Sequence, residues 1–530
     1  MNIRLSLLPI LAVAAVGACS SAGSHATGGT TSTAGSATTG NGGGGQAGSG
    51  TLASSGSSTS TSTSGGGSGA GGAAGTAFTY GLNLGYYNSS LDDTTDAALG
   101  MAAGADSHRH KLTEVFLDQW GTTIHVSELQ AMIAAGESNI VCNLIGPAAA
   151  NSNAPAGGNT ENYSPKNLWE PVLTSTGDVN PANTWAAFVA RVVGTYSPYI
   201  HTWEVWNEPD QVGGNWQATQ TWDTQPPNPS DLVWWNDTIF AYIRMLHVTY
   251  QVVHKLDPQG KVTLGGIGYP AFLDAILRYT DEPTAGAVTS AYPDKGGAYF
   301  DVVSYHYYPI FSPGNSDVGA AGLVTLHDQL QTELTKAGVS KPFIITESGA
   351  PRYAVGGDPG GVDYAHDYLV KAMALAQGAG IGRIDWFILG DGADPGASTN
   401  PDDYMGLYQN LTTVTAPASA VITPTGVAYA TIGHLLAGSL SDPTTTAALA
   451  LPAGTAGVAL RMPDQKHAYV VWATATTGEA ATGSVTLPAT GAASVYGWDY
   501  SSTKAVTTVM PASGAVQVSV TSAPVVVIAP

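Results

Sequence analysis

The sequence predicts an α/β protein whose main body is a closed (β/α)8, or TIM, barrel followed by a small antiparallel β-sandwich. Three observations carry this expectation. Between residues 78 and 438, eight short β-prone runs alternate with stretches of 3.6-residue periodicity. Several of those runs are apolar throughout, as strands covered on both faces by helices must be. After residue 438 the helical period stops and only short β-prone runs separated by turn residues remain. A doubly wound open sheet is the competing architecture, but no G-x-G-x-x-G turn follows the first run.

Taken in order, the chain opens with Arg4, an apolar stretch over residues 5–16 that is too short to span a bilayer, and then small residues. The tetrad Val16-Gly-Ala-Cys19 resembles the lipobox of bacterial lipoproteins. That resemblance implies a signal peptide and lipobox over residues 1–19, cleavage before Cys19, lipidation at Cys19, and an exported protein held to a membrane by its acyl chains. Residues 20–76 are almost entirely Gly, Ser, Thr and Ala. Without large apolar side chains to offset ordering entropy, they read as a disordered tether. The barrel is expected over 77–438, with strands at 78–86, 107–111, 140–145, 202–206, 262–267, 302–307, 343–346 and 383–388. Helical periodicity falls at 125–135, 184–195, 232–256, 322–337, 363–378 and 425–436. β-Prone runs at 457–462, 467–473, 483–487, 494–498, 517–520 and 524–529 fill the sandwich, 439–530.

Composition narrows the partners. Lys and Arg number 18 against 39 Asp and Glu, a formal net charge of −21. Such a surface repels phosphate backbones and anionic lipid heads, which excludes nucleic acid as an expected partner and leaves neutral ligands such as sugars compatible. The two cysteines, Cys19 and Cys142, make no disulfide framework and have no zinc-ligand spacing. Cys142, inside an apolar run, reads as a small buried hydrophobe. No phosphate-loop or serine-elbow motif is present. No metal, organic cofactor or protein partner is implied.

Two runs carry chemistry. His201-Thr-Trp-Glu-Val-Trp-Asn-Glu-Pro-Asp210 reads as the fourth strand and stops at Pro209, which sets Asn207 and Glu208 at its carboxyl end. Phe343-Ile-Ile-Thr-Glu347 climbs the seventh strand and ends in Glu347 before Ser348-Gly349. In a (β/α)8 barrel the carboxyl ends of the strands form the face where chemistry is assembled. One strand-end acid is most often a surface or ion-paired carboxylate. Two, on the fourth and seventh strands, are what glycoside cleavage needs: one protonates the leaving oxygen while the other attacks the anomeric carbon or activates water.

Together these runs look like the clan A (4/7) superfamily of retaining glycoside hydrolases, most similar to family 39, over roughly residues 78–438. The resemblance implies that Glu208 is the acid/base and Glu347 the nucleophile. It also implies that Asn207 binds the sugar 2-hydroxyl, that His306 and Tyr308 of Tyr305-His-Tyr-Tyr308 enter the site, and that Arg109 supports the nucleophile. Trp386, in Ile384-Asp-Trp-Phe387, would form the aromatic floor under the sugar. With Arg109 and Tyr308 beside it, Glu347 is expected to be ionised, and Glu208, with no matched cation, to hold the proton. Glu204 reads as a structural carboxylate deeper in the barrel. His108 and His110 fall on the face opposite Arg109, and Tyr305 and Tyr307 alternate with His306 toward the helices. Tyr163, Trp169, Trp216, Trp222, Trp234 and Trp235, in the loops after the third and fourth strands, are candidates for stacking on sugar.

The expected activity is therefore retaining O-glycoside hydrolysis of a poly- or oligosaccharide through a covalent glycosyl-enzyme, with carbohydrate as partner. A non-catalytic carbohydrate-binding lipoprotein and a transglycosylase using the same residues are the competing readings.

Overall fold

The computed structural model describes residues 77–84, 89–311 and 314–530. Among them, eight parallel strands form one sheet in the order β5-β4-β3-β2-β1-β8-β7-β6. They are β1 (Thr79–Asn83), β2 (Ser107–Thr113), β3 (Val141–Ile145), β4 (Thr202–Val205), β5 (Lys261–Thr263), β6 (Val303–Tyr307), β7 (Phe343–Ser348) and β8 (Arg383–Trp386). Single parallel bridges from Thr263 to Val302 and from Ile267 to Tyr305 bring β5 against β6 and close the barrel. The predicted fold is present, and each strand lies within two residues of its expected start.

Nine helices surround these strands among the described residues: α1 (Asp93–Ala102), α2 (Glu114–Trp120), α3 (Val126–Ala134), α4 (Thr184–Tyr196), α5 (Ile239–Leu256), α6 (Pro270–Arg278), α7 (Ser316–Lys336), α8 (Val362–Gly378) and α9 (Pro424–Leu435). Six of them begin at a side-chain cap: Asp92, Thr113, Asn183, Thr238, Asn315 and Thr423 each accept a backbone N–H from the first turn. Thr238 explains why α5 starts seven residues later than its periodicity suggested. Leu232 and Trp235 before it are buried as loop residues, and their spacing imitates a helical face. The helices α1, α2 and α6 were not expected. The first two are short, and α1 packs chiefly small side chains.

The C-terminal segment forms a six-stranded antiparallel sheet, order β14-β13-β16-β11-β10-β9, and a two-stranded sheet, β12-β15. Their ranges are β9 (Leu440–Ser441), β10 (Thr455–Arg461), β11 (His467–Ala473), β12 (Thr482–Pro488), β13 (Ala493–Gly497), β14 (Val506–Val509), β15 (Ala515–Thr521) and β16 (Val525–Ala529). Two short helices, α10 (Pro443–Ala448) and α11 (Tyr500–Thr503), interrupt a region that shows no helical period in sequence. Alternation along β11 fixes the packing. Tyr469, Val471 and Ala473 face the two-stranded sheet, while Ala468, Val470 and Trp472 join the barrel's core.

The seam between barrel and sandwich is also polar. Asp317, in the first turn of α7, accepts from Trp472 Nε1 at 2.7 Å and from the Ala475 N–H at 3.0 Å. Glu479 accepts from the Ser316 N–H at 2.7 Å, and the buried Lys371 lies 3.2 Å from Asp317. The sandwich thus grips the start of α7, the helix that follows β6. No helix among the described residues is long and apolar enough to cross a membrane. Cys19, the expected signal peptide and the tether of 20–76 lie outside the described residues.

Candidate active site

Local backbone places Glu208. At the end of β4 the chain turns through left-handed conformations at Trp206 (φ 73°) and Glu208 (φ 44°), which non-glycine residues adopt at an energetic cost. Tertiary contacts hold that turn. The Glu208 N–H donates to the Gly265 carbonyl at 2.6 Å, and Asn143 Nδ2 donates to the Trp206 carbonyl at 2.5 Å. Gly265 and Gly266 are needed beside it. A Cβ on Gly265 would meet the Val205 carbonyl at 2.5 Å, and one on Gly266 would meet His306 Nε2 at 2.0 Å.

A bulge places Glu347. Tyr305 pairs with Ile345 and His306 with Glu347, so Thr346 is an extra residue in β7. Thr346 and Glu347 consequently both meet the groups of the lumen, whereas Ser348 turns outward to the Tyr368 hydroxyl of α8 at 2.7 Å.

Arg109 organises the lumen. Its side chain is fully buried, with Nη1 2.5 Å from Glu347 Oε1, Nε 2.5 Å from Glu204 Oε2 and Nη2 2.8 Å from Asn207 Oδ1. Since a guanidinium only donates, Asn207 must present Oδ1 to Arg109, which leaves Nδ2 as the amide's donor side. Tyr308 donates its hydroxyl to Glu347 Oε2 at 2.7 Å. His306 Nδ1 lies 2.7 Å from Glu208 Oε1 and 3.7 Å from Glu347 Oε2. Six of the seven residues expected at the site are therefore in one connected set.

Trp386 is the exception. It pairs with the outward-facing Leu82, packs on Tyr368 of α8 and donates Nε1 to the Met405 carbonyl at 2.9 Å, with 1% of its surface exposed. The next residue, Phe387, is the aromatic on the site side. It meets Tyr308 edge-on at 6.0 Å and clusters with Ile310, Ile388, Met405 and Trp234. Alternation along β8 is the physical reason: Asp385 faces the lumen, so Trp386 cannot.

Trp234 is the loop tryptophan that reaches the site's apolar cluster. Trp222 and Trp235 are fully buried, Trp216 is exposed and not part of that cluster, and Trp169 donates to the Asp281 carbonyl. Asp210 lines the cleft beside Glu208 and was not singled out by the sequence. Its carboxylate accepts the Gly268 and Tyr269 N–H groups, both at 2.8 Å, and burial pushes its pKa up to about 7. A cleft of about 420 Å³ opens beside it, lined by Glu208, Tyr269, His306, Tyr307, Tyr308 and Phe311 and reaching α7.

Electrostatics modify one expectation. Burial raises the Glu347 carboxyl above the ordinary range, against the pull of Arg109 and the Tyr308 hydroxyl. Burial, and then the Arg109 charge, hold His306 well below the usual histidine value, so the imidazole is neutral. Burial likewise raises the Cys142 thiol, as expected of a buried hydrophobe. Glu208, His306 and Glu347 bring ligand atoms within 4.8 Å of one another, a spacing that could hold a cation. The Arg109 guanidinium already supplies the positive charge there.

No family model matches the chain, and no curated protein matches it. Solved structures resemble it in fold. A family 39 glycoside hydrolase from the gut symbiont Bacteroides cellulosilyticus shares 14% identity at a TM-score of 0.56, covering 86% of this chain and 81% of its own. A GH30 endoxylanase from Clostridium papyrosolvens shares 14% at 0.52, covering 86% and 98%. A glucosidase from Croceicoccus marinus shares 13% at 0.52, covering 86% and 96%. At these identities the likeness establishes the barrel and its C-terminal sheets.

Proposed function

We propose that the chain is a retaining O-glycoside hydrolase that cleaves a poly- or oligosaccharide by double displacement. The carboxylate separation carries the reading. One oxygen of Glu208 and one of Glu347 lie within 4.8 Å of each other. Retaining enzymes hold the two carboxyl groups ~5–5.5 Å apart, whereas inverting enzymes need ~6.5–9.5 Å to admit a water. The fold neighbours named as glycoside hydrolases support the same class.

In the first step Glu347 attacks the anomeric carbon. The glycosidic C–O bond breaks, and its electron pair leaves on an oxygen that takes the proton of Glu208. In the second, Glu208 accepts a proton from water as the water oxygen displaces Glu347. Arg109 and Tyr308 receive the charge returned to Glu347. Asn207, oriented by Arg109, offers Nδ2 as the donor to the sugar. The cleft is lined by Glu208 and by Tyr308, whose hydroxyl holds Glu347. Tyr269, Tyr307 and Phe311 there offer surfaces for an uncharged sugar face.

Glu208→Ala tests the assignment. It should lose turnover of substrates with poor leaving groups, keep most activity on activated aryl glycosides, and recover with azide. Absence of azide rescue on every glycoside that the wild type cleaves would count against the acid/base role. We further propose export and a lipid anchor at Cys19. The Cys19→Ser variant should appear in the soluble fraction, and its retention on membranes would refute the anchor.

A further inference from the structure

Glu204 is a buried carboxylate for which the double displacement has no use, yet a continuous hydrogen-bonded chain joins it to Glu208. Thr346 Oγ1 lies 2.6 Å from Glu204 Oε1, 2.6 Å from Ser304 Oγ and 3.0 Å from His306 Nε2, and His306 Nδ1 lies 2.7 Å from Glu208 Oε1. We propose that Thr346, held by Glu204, is a positioning residue that fixes the tautomer of His306 and thereby keeps the acid proton on Glu208. This rests on Glu208 being the acid/base.

Counting protons along the chain gives the direction. Glu204 Oε2 accepts from Arg109 Nε at 2.5 Å, and the carboxylate of that ion pair offers only acceptors to Thr346 and Ser304. An O–O contact of 2.6 Å needs a proton between the oxygens, and between Glu204 and Thr346 that proton is the threonine's. Ser304 Oγ lies 2.6 Å from Thr346 Oγ1 and 2.9 Å from Glu204 Oε1, so its one proton goes to one of these two oxygens and none is supplied toward His306. Thr346 Oγ1 has now given its only hydrogen and can face His306 only as an acceptor, so Nε2 carries the imidazole proton. The imidazole is neutral, which leaves a lone pair on Nδ1. Opposite that lone pair, an O–H on Glu208 makes a hydrogen bond, whereas a carboxylate oxygen would meet it in repulsion. The bulge in β7 makes this possible. Regular alternation would turn Thr346 out of the lumen and leave Nε2 without an acceptor.

Other charged and titratable groups around the pair are Arg109 from β2, Asp210 and Tyr269 from the loops after β4 and β5, Tyr307 and Tyr308 from the end of β6, and Glu347 from β7. Arg109 favours an ionised Glu208 and Glu347 opposes it. Neither determines which nitrogen of His306 carries the proton. Asp210 accepts from two backbone N–H groups and makes no hydrogen bond to His306 or Thr346 among those of the described residues.

Thr346→Val removes the acceptor. The proton then moves to Nδ1, which donates to the Glu208 carboxylate and lowers that group's pKa. The alkaline limb of kcat/KM should shift to lower pH by about one unit, since hydrogen bonds to the charged form lower a carboxyl pKa on that scale. Thr346→Ser should retain the wild-type limb. Nitrogen-15 NMR of His306, assigned by loss of its signals in His306→Gln, should show a protonated Nε2 and an unprotonated Nδ1 in the wild type. Thr346→Val should exchange the two. An unshifted limb in Thr346→Val, or a protonated Nδ1 in the wild type, would overturn the proposal. The NMR result needs no turnover. Failure of azide rescue at Glu208 would therefore sink the catalytic reading without being mistaken for failure of this one.

Discussion

The lumen of the barrel and the interior of the sandwich are both lined by alternate residues of β-strands, yet they are filled with opposite chemistry. Between the sandwich sheets lie Tyr469, Val471, Val485, Leu487, Val516, Val518 and Val527. In the barrel, the corresponding inward positions carry Asn83, Arg109, Asn143, Glu204, Ser304, Thr346 and Glu347, all equally buried. Burying that many polar groups costs free energy unless each finds a partner. Arg109 alone supplies bonds to Glu204, Glu347 and Asn207. One interior is arranged for stability, the other for holding charge at fixed positions.

The sharpest way to break this contrast is to remove the lumen's cation. Arg109→Met should leave Glu204 and Glu347 uncompensated. We expect a stability loss of about 3–5 kcal/mol in denaturant unfolding and a fall in kcat of roughly 10³-fold. A variant of near wild-type activity would mean that the lumen does not depend on this ion pair. The converse change is Leu487→Ala in the sandwich. It should cost about 2–5 kcal/mol through lost burial and a cavity, with kcat/KM of the folded enzyme unchanged. The smallest effect separates neighbours on β8. Phe387→Ala should raise KM about tenfold, equivalent to ~1.4 kcal/mol. Trp386→Phe should move the melting temperature and leave KM alone. The reverse pattern would restore Trp386 as the sugar platform.

Which parts of this arrangement were legible in the sequence follows the same division. The strands could be read because short β-prone runs alternate with stretches of helical period, and Glu208 and Glu347 because both runs end in an acid. Alternation alone correctly turned His108 and His110 away from Arg109 and made Glu204 a deep structural acid. The same rule applied to β8 would have excluded Trp386, and resemblance overrode it. The role of Thr346 was hidden because a bulge breaks alternation, and nothing in Phe-Ile-Ile-Thr-Glu announces one. The interval between β4 and α5 misled for a related reason. Trp235 and Leu232 are buried by the loop's own fold, and their spacing imitated a helix.

The central claim is a covalent glycosyl-enzyme on Glu347, and active-site labelling tests it most directly. The wild type is first screened with aryl glycosides to find the sugar it turns over. It is then incubated with the activated 2-deoxy-2-fluoro derivative of that sugar, digested, and its peptides are weighed and fragmented. The account predicts time-dependent inactivation with the fluorosugar ester on Glu347, absent in Glu347→Ala. A label on Glu208 or on any other residue would contradict it.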